Sequence, residues 1–193
     1  GPGMSASEIG DVFGKWNTGR LNSYLIEITE KVLKATDPIS GKPMVDMIVD
    51  RAGQKGTGKW SVIEAQNMGV AATAIEAAVA GRILSSQKNE REAAEKILGV
   101  PALADVPKDR AAFLADLENA LLAAKIGAYA QGFAIMSAAS AEFNWNLPMP
   151  TVARIWRAGC IIRSQFLDEI TSAFTKDPDV ANLIVTPAFA QMV

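Results

Sequence analysis

Residues 107–143 constrain this chain more than any other segment. Phe113, Leu117, Leu121, Leu122, Ile126, Phe133 and Met136 share one sustained apolar face at helical spacing, Pro107 opens the segment, and a loop over residues 146–150 ends it. A helix with such a stripe must bury it against other elements. No alternating apolar-polar run bounded by turn residues is present to build a sheet, so the expected class is all-α, a multi-helix bundle. The most apolar part, residues 120–141, is long enough for a bilayer, but it contains Lys125 and Gln131 and leans on Ala rather than Leu. A helix packed inside a soluble bundle is the reading taken, with no membrane partner.

The remaining sequence supplies helices for that bundle. Ser5-Ala6-Ser7-Glu8 fits a capping box leading into Ile9, Val12, Phe13 and Trp16. After Asn17-Thr18-Gly19, the apolar residues Leu21, Tyr24, Leu25, Ile28, Val32 and Leu33 predict a helix to about Ala35, broken by Asp37-Pro38 and Gly41-Lys42-Pro43. Residues 44–50 are ambiguous. Helices are expected over 59–68, 70–87 (with Ile75, Val79 and Ile83 on one face) and 89–98, the last stopped by Gly99-Val100-Pro101. Further helices are expected over 151–158 and 160–175, with another from Pro178 and a fresh helix start at Thr186-Pro187.

Composition then removes whole classes of chemistry. The 193 residues include no His and one Cys, so a Ser-His-Asp triad, a His-rich metal site, a Cys-cluster metal site and an internal disulfide are all excluded. Lys and Arg number 19 against 21 Asp and Glu, a net charge of -2 that offers nucleic acid no global attraction. Any anion site has to be local. Gly1-Pro2-Gly3 before Met4 reads as a cloning remnant without a signal peptide, so residues 1–4 are set apart from a single domain over 5–193. A cytoplasmic setting fits that usage of cysteine.

One segment asks for a functional explanation. Gly53-Gln54-Lys55-Gly56-Thr57-Gly58-Lys59 packs three glycines into six residues, which predicts a loop through Gly58. Its glycines let backbone amides approach a ligand, its lysines add positive charge and its Thr a hydroxyl, and the helix start that follows favours the same anion. Phosphate or carboxylate is the expected ligand; the plain alternative is a solvated surface loop. The spacing nearly matches a nucleotide P-loop, but Trp60 stands where a Ser or Thr should hold magnesium, and no parallel sheet precedes it.

The residues from Ala52 to Trp60 resemble the signature loop of the 6-phosphogluconate dehydrogenases. The likeness extends in order through Leu21-Asn22-Ser23-Tyr24-Leu25-Ile26-Glu27-Ile28-Thr29, Arg82-Ile83-Leu84-Ser85-Ser86 with Asn89-Glu90-Arg91, Tyr129-Ala130-Gln131-Gly132-Phe133, and Trp156-Arg157-Ala158-Gly159-Cys160-Ile161-Ile162-Arg163-Ser164. The resemblance implies the helical C-terminal domain of an NADP-dependent, metal-free homodimer that oxidises 6-phosphogluconate and decarboxylates it to ribulose 5-phosphate. It implies that Lys55, Thr57 and Arg82 contact the substrate phosphate, and that no catalytic, cofactor-binding or metal residue lies in this chain. The family's dinucleotide domain and its catalytic Lys and Glu would precede residue 1, and its C-terminal tail would follow residue 193. A chain truncated at both ends and inactive alone is therefore expected.

Other candidates carry less. Glu27 and Glu30 share a helix face and read as solvated carboxylates without a catalytic role. Cys160 reads as packed rather than nucleophilic, having no His to activate it. Trp60, Trp145 and Trp156 are expected to anchor core or interface packing. Arg154, Arg157 and Arg163 lack the interleaved aromatics of a nucleic-acid surface. A helical dimerisation scaffold with no ligand remains the alternative, with exposed apolar surface and concentration-dependent association expected in either case.

Overall fold

The computed structural model describes residues 3–100 and 107–192. Among them there are ten α-helices, one 3-10 turn and no strands. The helices are α1 (Ala6–Asn17), α2 (Tyr24–Lys34), α3 (Met44–Met47), α4 (Thr57–Asn67), α5 (Thr73–Ser86), α6 (Lys88–Leu98), α7 (Arg110–Glu142), α8 (Met149–Ile155), α9 (Phe166–Lys176) and α10 (Pro187–Ala190), with the 3-10 turn at Leu183–Val185.

Helix α1 begins where the capping box predicts. The Ser5 hydroxyl accepts from the Glu8 amide, and the Glu8 carboxylate accepts from the Ser5 amide at 2.7 Å. α1 lies against α2 at Gly10, where an added Cβ would stand 3.4 Å from Glu30 O and 2.9 Å from Lys34 Cγ. Lys34 closes the pair by reaching both Asp11 and Glu30 at 2.8 Å.

Helix α7 has 33 residues, roughly 50 Å at the usual rise, and falls within the segment predicted as one long helix. By length and composition it could cross a membrane. Instead, Leu122, Ile126, Ala130 and Phe133 enter the main core with Trp16, Leu21 and Ile26 from the first part of the chain and Phe166, Leu167, Ile170 and Phe174 from the last. The Phe133 ring centre lies 5.4 Å from those of both Trp156 and Phe174. On another side, Ile135 packs with Ala65 and Ala72 in a small second core that seats α4 and α5. Ala72, at the start of α5, has no side chain able to cap it, and the service comes from α7: Gln131 Oε1 accepts from the Ala74 amide at 3.0 Å and the Ile75 amide at 3.3 Å, and Gln131 Nε2 donates to Thr73 Oγ1 at 3.1 Å.

Several boundaries differ from expectation for identifiable reasons. Asp109 caps α7 through its carboxylate, placing the start at Arg110 rather than Pro107. α4 takes in Thr57 and Gly58, because helix N-terminal turns tolerate residues that helix interiors do not. Gly69, at φ +65°, separates α4 from α5, whose first residue is Thr73. α8 starts earlier than residue 151, with Pro150 in its first turn. Residues 160–165 are not helical. The Tyr24 amide donates to Arg163 O at 3.0 Å and the Gln165 amide to Asn22 O at 3.2 Å, an isolated antiparallel bridge around Ser23 and Ser164 that claims this backbone. The helix expected from Pro178 is only the 3-10 turn, whereas Thr186-Pro187 does start α10. Of the singled-out tryptophans, Trp156 packs against the core, but Trp60 is 61% exposed and Trp145 is 58% exposed, stacked on Phe143. Pro101 of the predicted α6 stop lies outside the described residues.

Candidate functional site

The glycine-rich segment is irregular chain held to the C-terminal half of α5 through Ser85 and Arg82, and it leads into the N-terminus of α4. Gly56 makes the turn between them. Its φ of +102° is a conformation that a residue with a side chain rarely adopts, although an added Cβ would meet only the Trp60 ring, at ordinary contact distance. At the helix start the Trp60 amide donates to Gly56 O, so the amides of Thr57, Gly58 and Lys59 precede the first intrahelical bond.

Lys55 and Thr57 from this segment and Arg82 from α5 line one depression of about 360 Å³. Gln54, Gly56 and Gly58 form its other loop edge, and Ile75, Ala78 and Val79 its floor. The three residues singled out from the sequence are thus brought together. Among the described residues, none of Lys55, Lys59 and Arg82 pairs with a carboxylate. The positive charge stays available, alongside a hydroxyl and the positive end of the α4 dipole, an arrangement suited to an anion such as a phosphomonoester. The Arg82 guanidinium donates one Nη2 hydrogen bond to Gly53 O, which ties it to the loop and leaves other N–H groups for a ligand.

Two further residues hold the loop, and neither was assigned a role from sequence. Ser85 Oγ accepts from the Ala52 amide at 3.1 Å, and Arg91 of α6 pairs with Asp50 at 2.9 Å. Both fall in segments that resemble the family, yet their acceptors and donors are largely backbone atoms, which side-chain spacing does not reveal.

A second, largely apolar cavity of about 580 Å³ adjoins the first, sharing Thr57 and Ile75. Its wall carries two polar side chains that sequence reasoning passed over. Lys125 donates to Ser23 Oγ at 2.8 Å and Leu21 O at 3.2 Å and lies 5.4 Å over the Phe166 ring; burial lowers its pKa to about 8. Tyr129 donates to Ile162 O, and burial pushes its phenol up to about 12.

The carboxylates and arginines set aside earlier are engaged in structure. Glu27 is not merely solvated: it accepts from Lys31 at 2.6 Å and Arg163 at 2.7 Å, and these bonds hold its carboxyl below its ordinary value. Glu30 pairs with Lys34. Arg157 pairs with Asp168 at 2.6 Å, and Cys160 Sγ donates to Trp156 O at 3.1 Å. Among the described residues no group of three His, Cys, Asp or Glu side chains is placed to hold a metal.

Comparison with known proteins gives the same reading from another direction. The family model for 6-phosphogluconate dehydrogenase, C-terminal domain, matches residues 1–193. The chain is 50% identical to 6-phosphogluconate dehydrogenase, decarboxylating 1, of Saccharomyces cerevisiae over 192 residues, 99% of this chain and 39% of the relative. It is 44% identical to the NADP(+)-dependent decarboxylating enzyme of Bacillus subtilis, over 99% of this chain and 41% of that one. A solved structure of Plasmodium falciparum 6-phosphogluconate dehydrogenase, described as apo and in complexes with its cofactor NADP+ and its substrate 6-phosphogluconate, superposes with a TM-score of 0.91 at 40% identity. That superposition covers 98% of this chain and 41% of the other. The chain therefore spans about two-fifths of the length of these relatives. The all-helical architecture, the glycine-rich loop and these matches along the whole sequence agree: the chain belongs to the 6-phosphogluconate dehydrogenase family, as its C-terminal domain.

Proposed function

We propose that this chain supplies the phosphate-binding part of the substrate site of an NADP-dependent, decarboxylating 6-phosphogluconate dehydrogenase. The observation that carries the reading is the convergence of Lys55, Thr57 and Arg82, two of them cations without a carboxylate partner, on one depression at a helix N-terminus. Lys55 contributes a mobile point charge, Thr57 a hydroxyl, and Arg82 a planar fork whose loop bond fixes its orientation. Together they grip the dianionic end of the sugar phosphate and leave the carbon chain to be directed outward.

The oxidation and decarboxylation themselves are assigned to residues outside this chain. Among the described residues no strand leads into a glycine-rich turn of the kind that holds a dinucleotide pyrophosphate, so NADP is assigned to none of them. The reading includes a cytoplasmic homodimer, with exposed apolar residues such as Trp60, Ile63 and Ile155 available for burial against other chain.

Calorimetric titration of the chain with 6-phosphogluconate, with ATP-magnesium in parallel, tests the proposal. Specific binding of the sugar phosphate is expected, weakened about 10- to 100-fold by Lys55→Ala or Arg82→Ala, the loss of one charge-assisted bond. Binding unaffected by both substitutions would overturn the assignment of the phosphate to this depression, and no binding by the unaltered chain would favour a ligand-free dimerisation scaffold. An NADP-linked assay of the chain alone should show no turnover.

A further inference from the structure

Arg91 lies on α6, outside the depression, yet its side chain donates four hydrogen bonds, two to Asp50 at the loop's base and two to the end of α5. Its Nη1 donates to Asp50 Oδ2 at 2.9 Å, its Nη2 to Asp50 O at 2.7 Å and Ser85 O at 3.2 Å, and its Nε to Leu84 O at 3.1 Å. Leu84 and Ser85 lie in the last turn of α5, where carbonyls run out of intrahelical donors. One guanidinium thus joins the chain entering the loop to the end of the helix that bears Arg82. Ser85 Oγ takes the Ala52 amide, and Arg82 takes Gly53 O. Positions 50, 52 and 53 are consequently fastened in series along α5, and only Gln54, Lys55 and Gly56 span the gap to α4.

We propose that Arg91, acting with Ser85, is a positioning residue for substrate phosphate: it sets where Lys55 enters the depression and never touches the ligand. The proposal rests on the phosphate reading of Lys55, Thr57 and Arg82 given above. The chemistry calls for arginine in particular. Four acceptors arranged around a plane match a guanidinium's rigid fork, whereas an ammonium has three donors radiating from one point. The Asp50 carboxylate is the least important of the four acceptors, since it is 74% exposed and water competes for it. The backbone carbonyls do the fastening.

The test uses the chain as it stands, with Arg91→Lys and Asp50→Asn as variants and two readouts. Hydrogen-deuterium exchange without ligand, read over residues 50–56 and over α7, reports the fastening; titration with 6-phosphogluconate reports its use. Arg91→Lys should speed exchange at the Ala52 amide, leave α7 protected, and weaken binding by about tenfold, the scale on which outer-shell partners act. Asp50→Asn should change both little, because Asp50 O remains. Unchanged exchange and affinity in Arg91→Lys would overturn the proposal, as would exchange that rises equally in α7, which marks general destabilisation. If the unaltered chain fails to bind 6-phosphogluconate, the phosphate reading fails and takes the affinity half of this proposal with it; the exchange readout then decides whether the fastening exists.

Discussion

Lys125 costs the folded chain stability at neutral pH, and the cost is measurable. Its ammonium sits against Phe166 among apolar side chains with two neutral acceptors, Ser23 Oγ and Leu21 O, and burial lowers its pKa from 10.5 to about 8. Below about pH 8 both folded and unfolded chains carry the proton, and the folded one bears the full desolvation penalty. Between 8 and 10.5 the unfolded chain binds more protons than the folded, so stability rises with pH. The shift corresponds to roughly 3 kcal/mol if taken at face value; part of the side chain meets solvent, and about half of that is the reasonable expectation. Tyr129 acts in the opposite sense, its raised pKa eroding stability as pH climbs above about 10, so the useful window ends near pH 9.5. Urea unfolding of the unaltered chain and of Lys125→Met at pH 7 and pH 9.5 isolates the effect. The stability of the unaltered chain relative to the variant should improve by about 1 kcal/mol over that interval. A difference that stays flat, or falls, would refute the burial argument.

Phe133→Ala removes a ring packed between Trp156 and Phe174 and 1% exposed, and should cost about 3–5 kcal/mol in urea unfolding, enough to leave a marginal fold. Gly56→Ala meets no steric obstacle at its Cβ but must hold a left-handed φ; a loss of about 1–2 kcal/mol, or a rearranged loop seen as weakened 6-phosphogluconate titration, is expected. Ser5→Ala deletes one half of the capping box and should lower stability by about 1 kcal/mol, measured in the same unfolding assay.

What could be read from the sequence was whatever is decided locally. The capping box at Ser5 and Glu8 is two bonds within one turn, and the long α7 follows from a stripe repeated over many residues. The glycine-rich loop announced itself because three glycines and two lysines have no reason to cluster inside a helix. Residues 160–165 were misread as helix for the opposite reason: their backbone is claimed by Asn22 and Tyr24, far away along the chain. Arg91 escaped notice because three of its four acceptors are carbonyl oxygens, which every residue has. From sequence Lys125 is only a charge unsuited to a bilayer and Tyr129 only part of a resembling segment, because the cavity beside them is walled by residues as far apart as Ser23, Thr57 and Ile162.

The amide of Gln131 ties the helix that bears Arg82 to the centre of the bundle. It caps the first turn of α5 from α7, at the end of α5 opposite the one that Arg91 holds. The capping group belongs to α7, which is itself embedded in the main core through Leu122, Ile126 and Phe133. The helix beneath the glycine-rich loop is thus pinned at both ends, by a side-chain amide from the core at its start and by a guanidinium at its finish.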